Sequence, residues 1–209
     1  MESVSLDNGY LLRSAVDWRS PEPCVVGKEA LKRTLDLING MVVLNAKRLI
    51  GRKFDTEETK SVMHSCRVKV VSDNQGYAAF SIPGPGHVIR PQDVSAKLLD
   101  HMFDKATVFL TDYKIKGVTV TVPASFDQDQ RLATLNAVEL SKFGTNVRLL
   151  SEPVAAAISH NLMHSVKTGY ILVYDFGGGT FDVSIMEVQN ETSFKVIATD
   201  GLGWIGGEN

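Results

Sequence analysis

Between Pro91 and Leu110 the apolar residues Leu99, Met102, Phe103, Ala106, Phe109 and Leu110 fall at helical spacings, the stripe of an amphipathic helix. The period then drops to two. Val118-Thr119-Val120-Thr121-Val122 is β-branched throughout and predicts a strand, which Pro123 ends because it lacks the N–H a ladder needs. Asp127 can cap a following helix whose Ala133, Ala137 and Leu140 share a face and which Gly144 terminates. Val147 to Leu150 reads as the next strand, so this stretch predicts a parallel βαβ unit. Pro153 suits the first turn of a helix that continues through Ala155-Ala156-Ala157, and this places Glu152 at a helix N-terminus. Tyr170–Tyr174, Phe181–Val188 and Phe194–Thr199 predict three strands, the first two joined by a glycine-rich turn.

The first third is patterned more weakly. Gly27–Leu37 and Leu44–Ile50 read as helices, and Asp55-Thr56-Glu57-Glu58 reads as a capping box opening a third short helix that ends near Cys66. Three short strands are expected at Arg67–Val71, Tyr77–Ile82 and His87–Arg90. They are separated by the turn sequences Asp73-Asn74-Gln75-Gly76 and Pro83-Gly84-Pro85-Gly86.

Composition narrows the class without naming it. The 209 residues are 44% hydrophobic and 22% charged, and 22 Lys+Arg against 24 Asp+Glu leave a formal charge of -2. No field of one sign argues for nucleic acid or an anionic membrane as partner. Cys24 and Cys66 are far apart and make no metal-type spacing, so reduced thiols are expected. The first residues show no basic flank followed by an apolar run, and no stretch is long enough for a membrane span. A cytoplasmic protein is the expectation, and the sequon Asn190-Glu191-Thr192 reads as a chance triplet.

Chemistry concentrates in Val173-Tyr174-Asp175-Phe176-Gly177-Gly178-Gly179-Thr180-Phe181-Asp182, an apolar strand that ends in an acid and turns through three glycines. Glycines let backbone N–H groups come close to an anion, and Thr180 adds a hydroxyl. Asp175 and Asp182 flank the turn, and carboxylates beside phosphate are useful when a hard cation such as Mg²⁺ lies between, held largely through water. An ordinary hairpin with bulge glycines is the competing reading. No Gly-Lys-Ser/Thr follows, so this is not a Walker loop. Gly201-Leu202-Gly203-Trp204-Ile205-Gly206 matches GxGxxG, but neither a helix nor a ribose-binding acid follows it, and a plain loop is expected. His160 and His164 lack the glutamate of a zinc-protease motif and read as a surface pair.

Asp175 to Ser184 resembles the second phosphate motif of the seventy-kilodalton heat-shock chaperones, within the actin and sugar-kinase superfamily. Three more segments match that family in order. Asn45-Ala46-Lys47-Arg48-Leu49-Ile50-Gly51-Arg52 resembles the segment with its catalytic lysine. Val120-Thr121-Val122-Pro123-Ala124 with Arg131 resembles its proline-arginine switch, and Ser151-Glu152-Pro153-Val154-Ala155-Ala156-Ala157 the segment with its essential glutamate. The resemblance implies ATP/ADP and Mg²⁺ as cofactors. Lys47 would reach the γ-phosphate, Asp175 and Glu152 would organise the metal and its waters, and Gly177, Gly178, Gly179 and Thr180 would hold phosphate. Asp182 would orient the attacking water, and Gly206 and Gly207 would add backbone contacts. Apart from the resemblance, Lys47-Arg48 is a basic pair near a helix end and Glu152 a charged cap.

The implied fold is α/β, an actin-like ATPase of ribonuclease H-like type, present incompletely: most of lobe I plus the first strands of lobe II. Residues 1–14 would be an N-terminal remnant, 15–91 the outer subdomain of lobe I, 92–168 its core, and 169–209 the start of lobe II. Nothing before Asn8 resembles the family's first phosphate loop, and the chain stops before its adenosine-binding part. Weak ATP binding without hydrolysis is therefore expected of these 209 residues. Ser125 stands where the family usually has tyrosine, which bears on the switch. Client proteins and co-chaperones, J-domain proteins and nucleotide-exchange factors among them, are the implied partners, with self-association through an unpaired sheet edge. A short non-hydrolysing binding or regulatory relative is the alternative, and a sugar kinase of the same superfamily a more distant one.

Overall fold

The computed structural model describes residues 11–19, 24–33, 41–83, 88–160, 168–178, 180–190, 193–202 and 207. The chain divides into two units, residues 1–118 with 132–147, and residues 119–131 with 148–209.

The first unit begins with three short strands, β1 (Ala15–Asp17), β2 (Val25–Val26) and β3 (Val42–Leu44), in the order β2-β1-β3. Both pairings are antiparallel, with Val16 opposite Val26 on one side and Val43 on the other. Strands of two or three residues show no period, and the sequence pattern does not predict them. The helix expected over Leu44–Ile50 is replaced by the end of β3 and one 3-10 turn, Ala46–Arg48. Asn45, at φ 52, sits in the left-handed region between them and prevents a longer helix. Helix α1 (Lys28–Lys32) occupies the start of the predicted Gly27–Leu37, whose end lies outside the described residues.

Helix α2 (Glu57–Met63) is capped by Thr56, whose hydroxyl accepts from the Thr59 N–H at 3.2 Å. The cap is one residue later than Asp55, and position N3 is Thr59 rather than an acid, so the reciprocal box is not formed. A second antiparallel sheet follows, β4 (Lys69–Ser72), β5 (Ala78–Ser81) and β6 (Val88–Ile89), in the order β4-β5-β6. The β4–β5 turn forms as its sequence predicts: Asp73 Oδ1 accepts the N–H groups of Gln75 and Tyr77, both at 2.8 Å, and Gly76 takes φ 81. The predicted turn at Pro83–Gly86 lies mostly outside the described residues.

Val16, Val43, Leu49, Val62, Phe80 and Val94 form the core of this unit. Val94 belongs to α3 (Pro91–Phe109), which opens with Pro91 in the first turn and with the Asp93 carboxylate accepting the Arg90 N–H at 3.0 Å. The predicted stripe on α3 is only half buried. Its first turns bury Pro91, Val94 and Ala96, whereas Met102 and Phe109 are exposed and Phe103 meets Phe143 edge-on at 5.2 Å. Asp17 on β1 is buried to 1% of its surface and is held by Arg19 at 2.9 Å and Arg33 at 3.2 Å. A charge removed from water this far requires such partners.

Strands β7 (Val118–Val122) and β8 (Val147–Ser151), which belong to the second unit from Thr119 and from Arg148 on, are hydrogen-bonded neighbours. Helix α4 (Gln128–Glu139), which lies between them in sequence, opens as predicted with Asp127: its Oδ1 accepts the Gln130 N–H at 2.8 Å, and Gln130 Oε1 accepts the Asp127 N–H at 3.2 Å. Ala133 and Ala137 are buried, but Leu140 lies past the end of α4 and is exposed. Helix α5 (Glu152–Ser159) carries Pro153 in its first turn. Strands β9 (Gly169–Phe176), β10 (Phe181–Asn190) and β11 (Ser193–Leu202) then make an antiparallel sheet in the order β11-β10-β9.

Candidate functional site

Register and alternation build the site. In the β9–β10 ladder Asp175 lies directly opposite Asp182, and Phe176 opposite Phe181. Opposed residues share a face and successive residues alternate faces, so the two acids stand on one side and the aromatic rings on the other. On the aromatic side Phe181 packs against Tyr174 at 4.9 Å and Phe176 at 6.0 Å between ring centres, which stiffens the hairpin just below its tip. The tip itself is closed by the Gly177 N–H donating to the Thr180 carbonyl at 2.9 Å, and the Gly207 N–H reaches the Gly177 carbonyl at 3.0 Å. Among the predicted phosphate residues the structure thus brings together Gly177, Gly178, Thr180 and Gly207, while Gly179 and Gly206 lie outside the described residues.

Asp182 is buried, at 6% of its surface, and its Oδ1 accepts a hydrogen bond from the Ser125 hydroxyl at 3.1 Å across 57 residues of sequence. Ser125 lies in the turn after β7. Arg131 fastens that turn by donating from Nε to the Phe126 carbonyl at 3.0 Å and from its guanidinium to the Ala124 carbonyl at 3.4 Å. Behind Asp182, Gly201 on β11 comes so close that a Cβ there would lie 2.8 Å from Asp182 Oδ1 and 2.4 Å from the Phe181 carbonyl. The first glycine of the GxGxxG stretch is therefore required by packing, not by a dinucleotide. Local pattern could not reveal either contact; the departure at Ser125 was the one signal in the sequence.

Asp175 also lines a shallow pocket of about 320 Å³ between α5 and β9, together with Ala156, Ala157 and His160. Glu152 is half-buried at the N-terminus of α5, and Ser151, its N-cap, makes no capping bond. Lys47 is exposed in the 3-10 turn of the first unit. No group of three His, Cys, Asp or Glu side chains able to cage a metal occurs among the described residues. Two opposed carboxylates with a neighbouring hydroxyl nonetheless form a hard oxygen donor set suited to Mg²⁺ that keeps water and anion ligands. The repulsion of like charges directly opposite is relieved when a cation lies between them.

An α/β scaffold that presents a glycine turn between opposed acids defines a class of protein fit to hold an anion through a hard cation. The sequence matches the family described as Hsp70 protein over residues 11–209, and the chain belongs to that family. Membership carries with it the actin-like ATPase fold. The chaperone protein DnaK of Carsonella ruddii is 34% identical over 207 residues, covering 97% of this chain and 33% of that protein. A heat shock cognate HSP70 protein of Trypanosoma brucei brucei is 39% identical over 189 residues, or 88% of this chain and 27% of the relative. DnaK of Stenotrophomonas maltophilia is 40% identical over 168 residues, or 78% and 26%. The chain spans about a third or less of the length of these chaperones. Among the described residues no helix is long and apolar enough to cross a membrane.

Proposed function

We propose that this chain is a Mg-ATP-binding segment of a heat-shock-type chaperone, with Asp175 opposite Asp182 at the root of the glycine turn as the observation that carries the reading. The Gly177–Thr180 turn supplies backbone donors and a hydroxyl for phosphate, and Asp175, with Glu152, holds the waters of Mg²⁺. Bound Mg²⁺ would neutralise charge on the phosphates, and Asp182 orients water. Lys47 is the cation for the γ-phosphate. Residues 15–91 and 92–168 serve as the two parts of lobe I, and 169–209 as the start of lobe II. In the whole protein, ATP hydrolysis here is coupled to the folding of client proteins with the help of co-chaperones. Self-association through an unpaired sheet edge is a further part of the reading, and β9 is such an edge among the described residues.

The test is calorimetry of the 209-residue chain with ATP, with and without Mg²⁺. Binding is expected to require Mg²⁺ and to be weakened at least about tenfold in Asp175→Asn, the loss of one charge-assisted contact. Binding that ignores both metal and variant would refute the reading.

A further inference from the structure

We infer that Ser125 is a positioning residue for Asp182: its hydroxyl holds the buried carboxylate in one rotamer beside Asp175, in space that only a glycine at position 201 leaves open. The inference rests on the reading of Asp182 as the acid that orients water, and deepens it. Three observations converge on the same carboxylate. Ser125 donates to Oδ1 at 3.1 Å, a Cβ at position 201 would come within 2.8 Å of that same oxygen, and the register sets Asp175 across the ladder. The donor is itself held, because Arg131 ties down the carbonyls on both sides of Ser125. An acid that orients water contributes only if its oxygen stays in place, since catalysis of this kind depends on geometry fixed before the reaction. A single hydroxyl is a modest restraint, so its removal should loosen Asp182 without unfolding the sheet.

The experiment compares the chain with Ser125→Ala and Ser125→Thr. The χ1 scalar couplings of Asp182, measured by NMR on protein with a native-like amide spectrum, should show one rotamer in the parent, averaging in Ser125→Ala, and one rotamer again in Ser125→Thr. Mg-ATP affinity, read by calorimetry, should stay within about twofold of the parent in both variants, because Asp182 is read as orienting water rather than holding phosphate. An averaged rotamer in the parent, or an unaltered one in Ser125→Ala, overturns the inference. A parent that does not bind Mg-ATP would instead refute the functional reading, while the couplings still decide whether Ser125 positions Asp182.

Discussion

Strands β5 and β9 are both apolar runs, yet they are used in opposite ways. In β5, Ala78, Ala79 and Phe80 are all buried, and the strand is central in its sheet with neighbours on both edges. In β9 burial alternates: Tyr170, Leu172, Tyr174 and Phe176 stay 72%, 64%, 68% and 56% exposed, and the strand is at an edge among the described residues. A strand wrapped in apolar neighbours can carry only packing. A strand whose half-buried side runs through Ile171 and Val173 and ends in Asp175 can set that acid opposite Asp182, while its other side leaves an apolar stripe exposed. The first unit stores stability and the second presents chemistry.

Four substitutions sharpen or break this contrast. Phe80→Ala should have the largest effect, about 3–5 kcal/mol in urea unfolding, because a fully buried ring leaves a cavity. A loss below about 1 kcal/mol would mean that β5 is not the packed strand described. Asp17→Ala leaves Arg19 and Arg33 without their shared carboxylate, and because Asp17 is buried the expected cost is about 3 kcal/mol; an unchanged midpoint would make the cluster a surface ion pair. Gly201→Ala forces its Cβ against the Phe181 carbonyl and should cost about 1–3 kcal/mol, with altered amide shifts centred on Asp182. Tyr170→Ser, on the exposed side, should change stability by no more than about 0.5 kcal/mol while reducing association in sedimentation. A large stability loss there would show that the β9 stripe is already covered.

The first unit offers a pH-dependent test as well. Burial pushes the Cys66 thiol up, and nearby Arg48 only partly offsets this. Less thiolate forms at a given pH, so alkylation of Cys66 near pH 8 should be slower than that of a free cysteine peptide. The unfolded thiol ionises first, so this contribution to stability is full below its ordinary pKa and fades as pH rises through the folded one. Faster alkylation than the peptide would contradict the burial.

Long periodic segments were legible in the sequence, and contacts between distant segments were not. The β7 strand and α3 show a period, the β9–β10 hairpin shows apolar runs either side of a glycine turn, and the acids on the hairpin could be singled out from chemistry alone. Strands β1 to β3 hold two or three residues each, and tertiary pairing rather than local pattern makes them strands. The exposed end of α3 follows from where the core stops, which the stripe itself does not encode. Ser125 meets Asp182 only through the fold, and the need for glycine at position 201 follows from that same packing.

The central claim is that the glycine turn between Asp175 and Asp182 holds Mg-nucleotide, and amide chemical-shift mapping during a Mg-ADP titration tests it most directly. The account predicts shifts concentrated on Asp175, Gly177, Gly178, Thr180 and Asp182 that disappear when EDTA removes the metal. Shifts elsewhere with none in this turn, or shifts in the turn that persist without Mg²⁺, would contradict it.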